Sequence, residues 1–164
     1  SKRKTKKIIM IKVTNSRLDY CAKTGNFYEE LFSKKVIEKG FKWRKSTNEE
    51  DWYKHIDCYV NEYGVDIKGN RHLETIWLEY TNVNGNNGWL KGEAFYIAMF
   101  IVELNCFSIY KRIDLLNYIK ENTKEKTNNK KDYLKLYTRK KWGKKDEIVK
   151  VKYNDIKHLE LIKL

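Results

Sequence analysis

On either side of a short polar turn, Asn61-Glu62-Tyr63-Gly64, residues 55–60 and 65–68 alternate apolar and polar side chains. A period of two marks a half-buried strand, so the segment predicts a β-hairpin. Ile56, Cys58 and Val60 are expected on one face of its first strand, with Asp57 and Tyr59 on the other. On the return strand Val65 and Ile67 alternate with Asp66 and Lys68. Upstream, residues 26–39 change to the helical period, introduced by Thr24-Gly25-Asn26 and stopped by Gly40. A hairpin that keeps one face apolar needs a helix or a second sheet to cover it, which excludes an all-helical fold.

The rest of the chain extends this pattern. Residues 41–44 begin a strand, and Ser46-Thr47-Asn48-Glu49 reads as a cap opening a short helical turn. Residues 75–83 are expected as a third strand, followed by the loop Asn84-Gly85-Asn86-Asn87-Gly88. The apolar run 95–102 reads as a buried strand, and 112–121 as a helix with Ile113, Leu116 and Ile119 on one side. Residues 122–131 are polar and lysine-rich and read as a mobile loop, 133–151 as a late hairpin, with a final segment from Asp155. The sum is an α/β fold, a central mixed β-sheet flanked by helices, in a single domain over 1–164. Within it, 1–12 form a basic arm, 25–100 a catalytic core and 120–145 a basic loop and hairpin.

Asp57 and Asp66 stand on two strands joined by a short turn, so their carboxylates can lie side by side across the ladder. Asp66 and Lys68 are two residues apart and project to one face. Hard divalent cations prefer carboxylate oxygens and keep several waters, and a lysine beside such an ion can stabilise charge on a reacting phosphate. Helix phase adds Glu29, which shares a face with Phe32 and Val36, whereas Glu30 faces elsewhere and can pair with Lys34. A carboxylate turned toward a core is costly unless a cation or a partner satisfies it.

Charge distribution points the same way. Lys and Arg outnumber Asp and Glu by 35 to 22, a formal net charge of +13, and a field of that sign favours phosphate backbones. Residues 2–12 carry six cations and no acid, and 120–145 carry eleven cations against three acids, whereas the middle of the chain is acidic. A general polyanion binder gains nothing from an acidic centre, but a metal-loaded one framed by basic arms suits phosphodiester hydrolysis. No apolar run reaches the ~18 residues of a membrane span, and no secretion signal is read at the basic start, so a cytoplasmic protein is expected. Cys21, Cys58 and Cys106 are odd in number and lack CxxC spacing, which argues against a disulfide framework or a zinc cluster.

A helix Glu, then a strand Asp, then (D/E)-x-K on the next strand resembles the PD-(D/E)XK nuclease superfamily, the restriction enzymes and Holliday-junction resolvases, including small phage-type members. The matching residues run from Gly25-Asn26-Phe27-Tyr28-Glu29 through His55-Ile56-Asp57 to Val65-Asp66-Ile67-Lys68-Gly69, and Trp77-Leu78-Glu79-Tyr80 with Gly88-Trp89-Leu90 adds to the likeness. The resemblance covers about residues 25–100. It implies a restriction-endonuclease-like sheet and Mg²⁺-dependent cleavage of DNA, with Mn²⁺ able to substitute. Glu29, Asp57 and Asp66 would then hold the metal and Lys68 would be the catalytic lysine. Ile56 stands where the motif has Pro, and the second acid is Asp rather than Glu. A rival alignment pairs Asp66 with Glu79-Tyr80-Thr81, losing the lysine, and Glu79 is a further candidate ligand.

Arg71, His72, Lys91, Arg139, Lys140 and Lys141 are candidate phosphate contacts. Trp89 could stack on bases but is expected to pack against the third strand, His55 reads as a structural histidine, and Trp52, Trp77 and Trp142 as core. DNA is the expected partner, with a homodimer if both strands are cut. Two other readings stay open: a non-catalytic nucleic-acid-binding module with a decayed nuclease fold, and an RNA-directed nuclease. The plain alternative for Asp57, Asp66 and Lys68 is the solvent face of an amphipathic hairpin.

Overall fold

The computed structural model describes residues 26–138 and 143–164. The fold is α/β, with mixed β-sheets flanked by helices. Helix α1 (Asn26–Glu38) is followed by β1 (Trp43–Lys45), α2 (Asn48–Lys54), β2 (Cys58–Val60), β3 (Tyr63–Arg71) and β4 (Ile76–Thr81). Then come β5 (Tyr96–Ile101), β6 (Cys106–Lys111), α3 (Arg112–Asn122), β7 (Lys126–Thr127), β8 (Leu136–Thr138), β9 (Glu147–Val151), α4 (Tyr153–Ile156) and β10 (Glu160–Lys163). A six-stranded sheet has the order β1-β2-β3-β5-β6-β10 and a four-stranded sheet the order β4-β9-β8-β7. Among the described residues no helix is long and apolar enough to cross a membrane.

The central hairpin forms as the alternation requires, with a tighter turn. Asn61 and Glu62 take φ of 46° and 72°, the pair of positive angles that closes a two-residue hairpin in the twist of its strands. Cys58 faces Val65, and Val60 faces Tyr63. The first strand is shorter than expected, because His55 (φ 54°) caps α2 in the left-handed region and regular pairing begins only at Cys58. Ile56 consequently does not share a core with Cys58. It packs with Ile97, Leu90 and Leu78, whereas Cys58 lies among Val65, Ile67 and the helix residues Tyr28, Phe32 and Val36.

Those two groups are the two cores. α1 covers one face of the large sheet through Tyr28, Phe32 and Val36, against Ala98, Phe100, Phe107 and Ile109. The other face meets the small sheet (Ile76, Leu78, Val149, Val151) and α3 (Leu115, Leu116, Ile119). α1 ends as Gly40 implied. Gly40 has φ 84°, its N–H bonds Ile37 O at 2.9 Å, and the N–H of Phe41 bonds Val36 O at 3.1 Å, a Schellman closure that only glycine adopts without strain. Gly69 fixes where α1 sits, since a Cβ there would stand 1.9 Å from the Tyr28 ring.

Three expectations change. Residues 75–83 do not add a third strand to the hairpin: β4 pairs with β9 in the other sheet. The connection from β3 to its parallel neighbour β5 therefore runs through a strand of a second layer and the 3₁₀ turn Trp89–Lys91, where a helix is usual. Residues 122–131 are not simply a loop, since β7 pairs in parallel with β8. On α3 the inward residues are Leu115, Leu116 and Ile119, while Ile113 is 47% exposed, because the helix turns a phase set by the leucine pair.

Candidate active site

The hairpin places its acids where β2 and β3 part. The N–H of Asp57 donates to Val65 O at 2.8 Å, but no regular strand precedes it. Its carboxylate replaces the missing ladder carbonyl: Oδ2 accepts the N–H of Ile67 at 2.6 Å. One residue along β3, Asp66 is 2% exposed, and the apolar Ile97 is its partner on β5. Its Oδ1 meets Lys68 Nζ at 2.9 Å, while Oδ2 is enclosed without a hydrogen-bond partner. Lys68 Nζ also lies 5.2 Å from the ring centre of Trp89, which is itself buried.

Glu29 reaches the same place from α1. With Ser33, Trp43, Lys45, Asp57 and Ile67 it lines a cavity of about 210 Å³. Its carboxyl is pushed up by burial, then by Asp51 and Asp66, and held back by Lys45 and a hydrogen bond with Asp57. Asp57 is raised to about 8, chiefly by burial and then by the charge of Asp66, against the opposing pull of the Ile67 amide and Lys68. Burial and the charge of Asp66 therefore favour the protonated form of Asp57, which hydrogen-bonds Glu29. Burial and like charge are the two conditions that raise a carboxyl, and groups shifted in this way cluster at functional sites.

Glu29, Asp57, Asp66 and Lys68 are thus brought together, while Glu79 approaches from the other sheet, its charge falling with that of Asp66 on Arg71. Glu79 sits on β4, packed over Gly88, and its charge acts on Arg71 rather than on Asp57 or Glu29. β4 pairs with β9 and not with the hairpin, so Glu79 stands in a different sheet from Asp57 and Asp66. Arg71 is turned inward, with Nη1 on Gly69 O at 2.7 Å and Nε enclosed without a partner, so it is not a free surface cation. His72 is exposed and pairs with Glu103 at 3.0 Å, and Lys91 lies 3.7 Å over the Tyr80 ring. Arg139, Lys140, Lys141, Trp142 and the basic arm at 1–12 lie outside the described residues.

Of the tryptophans, Trp89 is packed as expected and Trp77 is half-buried, but Trp52 is 68% exposed and no part of a core. His55 serves as the C-cap of α2, a structural role. Lys45 and Asp51 are site residues that sequence reasoning missed. Lys45 is placed by its register opposite Cys58, a long-range pairing with no local signal. Asp51, exposed on α2, enters only through its charge on Glu29. Cys58 is a buried free thiol raised to about 12 by burial, and so inert.

Among the described residues no three His, Cys, Asp or Glu are already arranged to enclose an ion. Asp66 directs one oxygen to Lys68 and Asp57 one to the Ile67 amide. The donor set nevertheless fits a hard divalent ion, because the enclosed Asp66 Oδ2 is an acceptor that no described residue satisfies. Comparison with protein-family models, with curated proteins and with solved structures finds no match to this chain.

Proposed function

We propose that the chain is a divalent-metal-dependent endonuclease that hydrolyses DNA phosphodiesters, of the restriction-endonuclease-like class its motif resembles. The observation that carries this reading is Asp66, a buried carboxylate with one oxygen on Lys68, the other unpartnered, and two further carboxyls beside it. Asp66, Asp57 and Glu29 would hold Mg²⁺ or Mn²⁺. The ion would polarise the phosphate and lower the pKa of an attacking water.

The protein's own groups do the remainder. Lys68 is anchored by Asp66 and backed by Trp89, so its ammonium is held in place before substrate arrives and offsets negative charge as it develops on phosphate oxygens. Lys45, exposed at the end of β1 and electrostatically coupled to Glu29, is placed to meet a substrate phosphate. Asp57 must give up its proton to ligate a cation, so binding of the ion would release that proton to solvent.

The test is incubation with supercoiled plasmid, linear duplex, branched DNA and RNA, in Mg²⁺ or in EDTA. Cleavage is expected on DNA in Mg²⁺ alone. Asp66→Ala or Lys68→Ala should lower it by about a hundredfold or more while DNA binding persists. Full activity in both variants removes the assignment. The ligand set is not closed, which favours one rival, a binding module on a decayed nuclease fold. It would bind nucleic acid in a steeply salt-dependent manner and turn nothing over.

A further inference from the structure

Helix α2 stands at the rim of the carboxylate group and buries none of its residues. Trp52 is 68% exposed and Tyr53 79%, the two most exposed large apolar side chains among the described residues. A seven-residue helix with no buried face gains nothing from packing and needs other supports. Here they are polar. Thr47 and Glu50 form a reciprocal capping box (3.2 and 2.9 Å), and Arg44 grips Glu50 through both Nη atoms at 3.2 and 3.3 Å. At the other end the N–H of Glu93 bonds Lys54 O at 2.9 Å. The fold therefore fixes this helix while leaving its aromatic residues in water, an arrangement that stability alone does not explain.

The helix is continuous with the site. Asp51 raises the carboxyl of Glu29, and two residues beyond the His55 cap the chain reaches Asp57. Trp52 and Tyr53 follow Asp51 in sequence, each turned about 100° further around the helix. Two exposed cations bracket the pair, Lys45 three residues before α2 and Lys54 at its end. Glu50 is neutralised by Arg44, leaving Glu49 and Asp51 as solvated acids toward the start of the helix, with Lys45 and Lys54 the cations to either side. Aromatic faces flanked by cations, next to a site that would hold a phosphodiester, match the needs of an unpaired strand: bases stack and phosphates meet lysines.

We propose that Trp52 and Tyr53 form a stacking platform for unpaired bases of the DNA whose backbone enters the Glu29–Asp57–Asp66 site, so that the substrate contains a single-stranded or unwound segment. This rests on the nuclease reading for the identity of the neighbouring site, but not for the stacking itself. It transfers to α2 the role that Trp89, packed beneath Lys68, cannot fill.

Binding of labelled oligonucleotides in EDTA tests it without turnover. Trp52→Ala/Tyr53→Ala is expected to lose about 5- to 100-fold in affinity for a 20-nucleotide single strand, with less than a ~2-fold change on blunt duplex of equal length. Trp52→Phe should recover part of the loss, and because α2 buries nothing the thermal midpoint should stay at the wild-type value. Wild-type single-strand affinity in the double variant overturns the platform, as does an equal loss on both substrates. Absence of nucleic-acid binding by the wild type overturns it too. If the single-strand loss is found and the wild type cleaves nothing in Mg²⁺, the platform stands and the nuclease reading falls. If the wild type cleaves and the double variant binds single strands normally, the reverse holds.

Discussion

Helices α1 and α2 both bring an acid to the same place, yet they are held by opposite means. α1 delivers Glu29 on a body whose Tyr28, Phe32 and Val36 are each at most 3% exposed, wedged over Gly69 and against Phe107. α2 delivers Asp51 on a body with no buried residue, held by a capping box and one arginine. Packing makes α1 part of the fold. α2 is an accessory that the fold supports, and a segment supported without packing is free to spend its apolar side chains on a partner. The difference teaches where to look for function: in polar residues on the packed helix, and in apolar residues on the unpacked one.

The strongest way to break that contrast is to weaken the packed helix. Phe32 meets Phe107 edge-on at 5.2 Å in a fully enclosed position. Phe32→Ala should cost about 3–5 kcal/mol of unfolding free energy, read from denaturant midpoints. Metal-dependent cleavage should fall with it, since α1 carries Glu29. A loss well under 1 kcal/mol would mean that α1 is no more integral than α2.

The next effect in size concerns Asp57, which hydrogen-bonds Glu29 of the packed helix. Its folded pKa, about 8, lies above its ordinary value of 3.8, so the folded state holds this proton more tightly than the unfolded chain does. The stability it contributes is complete below about pH 4 and is lost as pH rises toward 8. In EDTA the thermal midpoint of the wild type should therefore decline across that window more steeply than that of Asp57→Asn, which carries no titrating proton. Mg²⁺ should flatten the wild-type decline, because a ligating carboxylate has already released its proton. Parallel pH profiles for the two proteins would mean that Asp57 is not the buried acid the geometry makes it.

How far the sequence reached follows the same contrast. Glu29 was legible because α1 is amphipathic and its phase relative to Phe32 and Val36 is local information. Asp57, Asp66 and Lys68 were legible because a period of two and a short turn set register without help from distant residues. The strand of Glu79 was misplaced because nothing in Ile76–Thr81 states which sheet it joins; its partner β9 lies about seventy residues away. Trp52 was taken for core because tryptophan usually is, whereas α2 has no apolar period at all, and that absence was the available signal. Lys45 depended on the β1–β2 pairing, a contact between segments separated by a helix.

The smallest effect tests the unpacked helix directly. Thr47 accepts the N–H of Glu50 at 3.2 Å and Glu50 accepts the N–H of Thr47 at 2.9 Å, so Thr47→Ala removes half of a reciprocal cap. Such a loss costs about 0.5–2 kcal/mol of local helix stability. Because α2 buries nothing, little of this should pass to global unfolding. It should appear as faster amide exchange confined to residues 48–55, with exchange in α1 and β3 unchanged. Single-strand binding should weaken in the same variant, since Trp52 and Tyr53 stack well only while the helix presents them together. Were α1 amides to exchange faster as well, the two helices would be one cooperative unit, and the division between a packed scaffold and a supported platform would have to be given up.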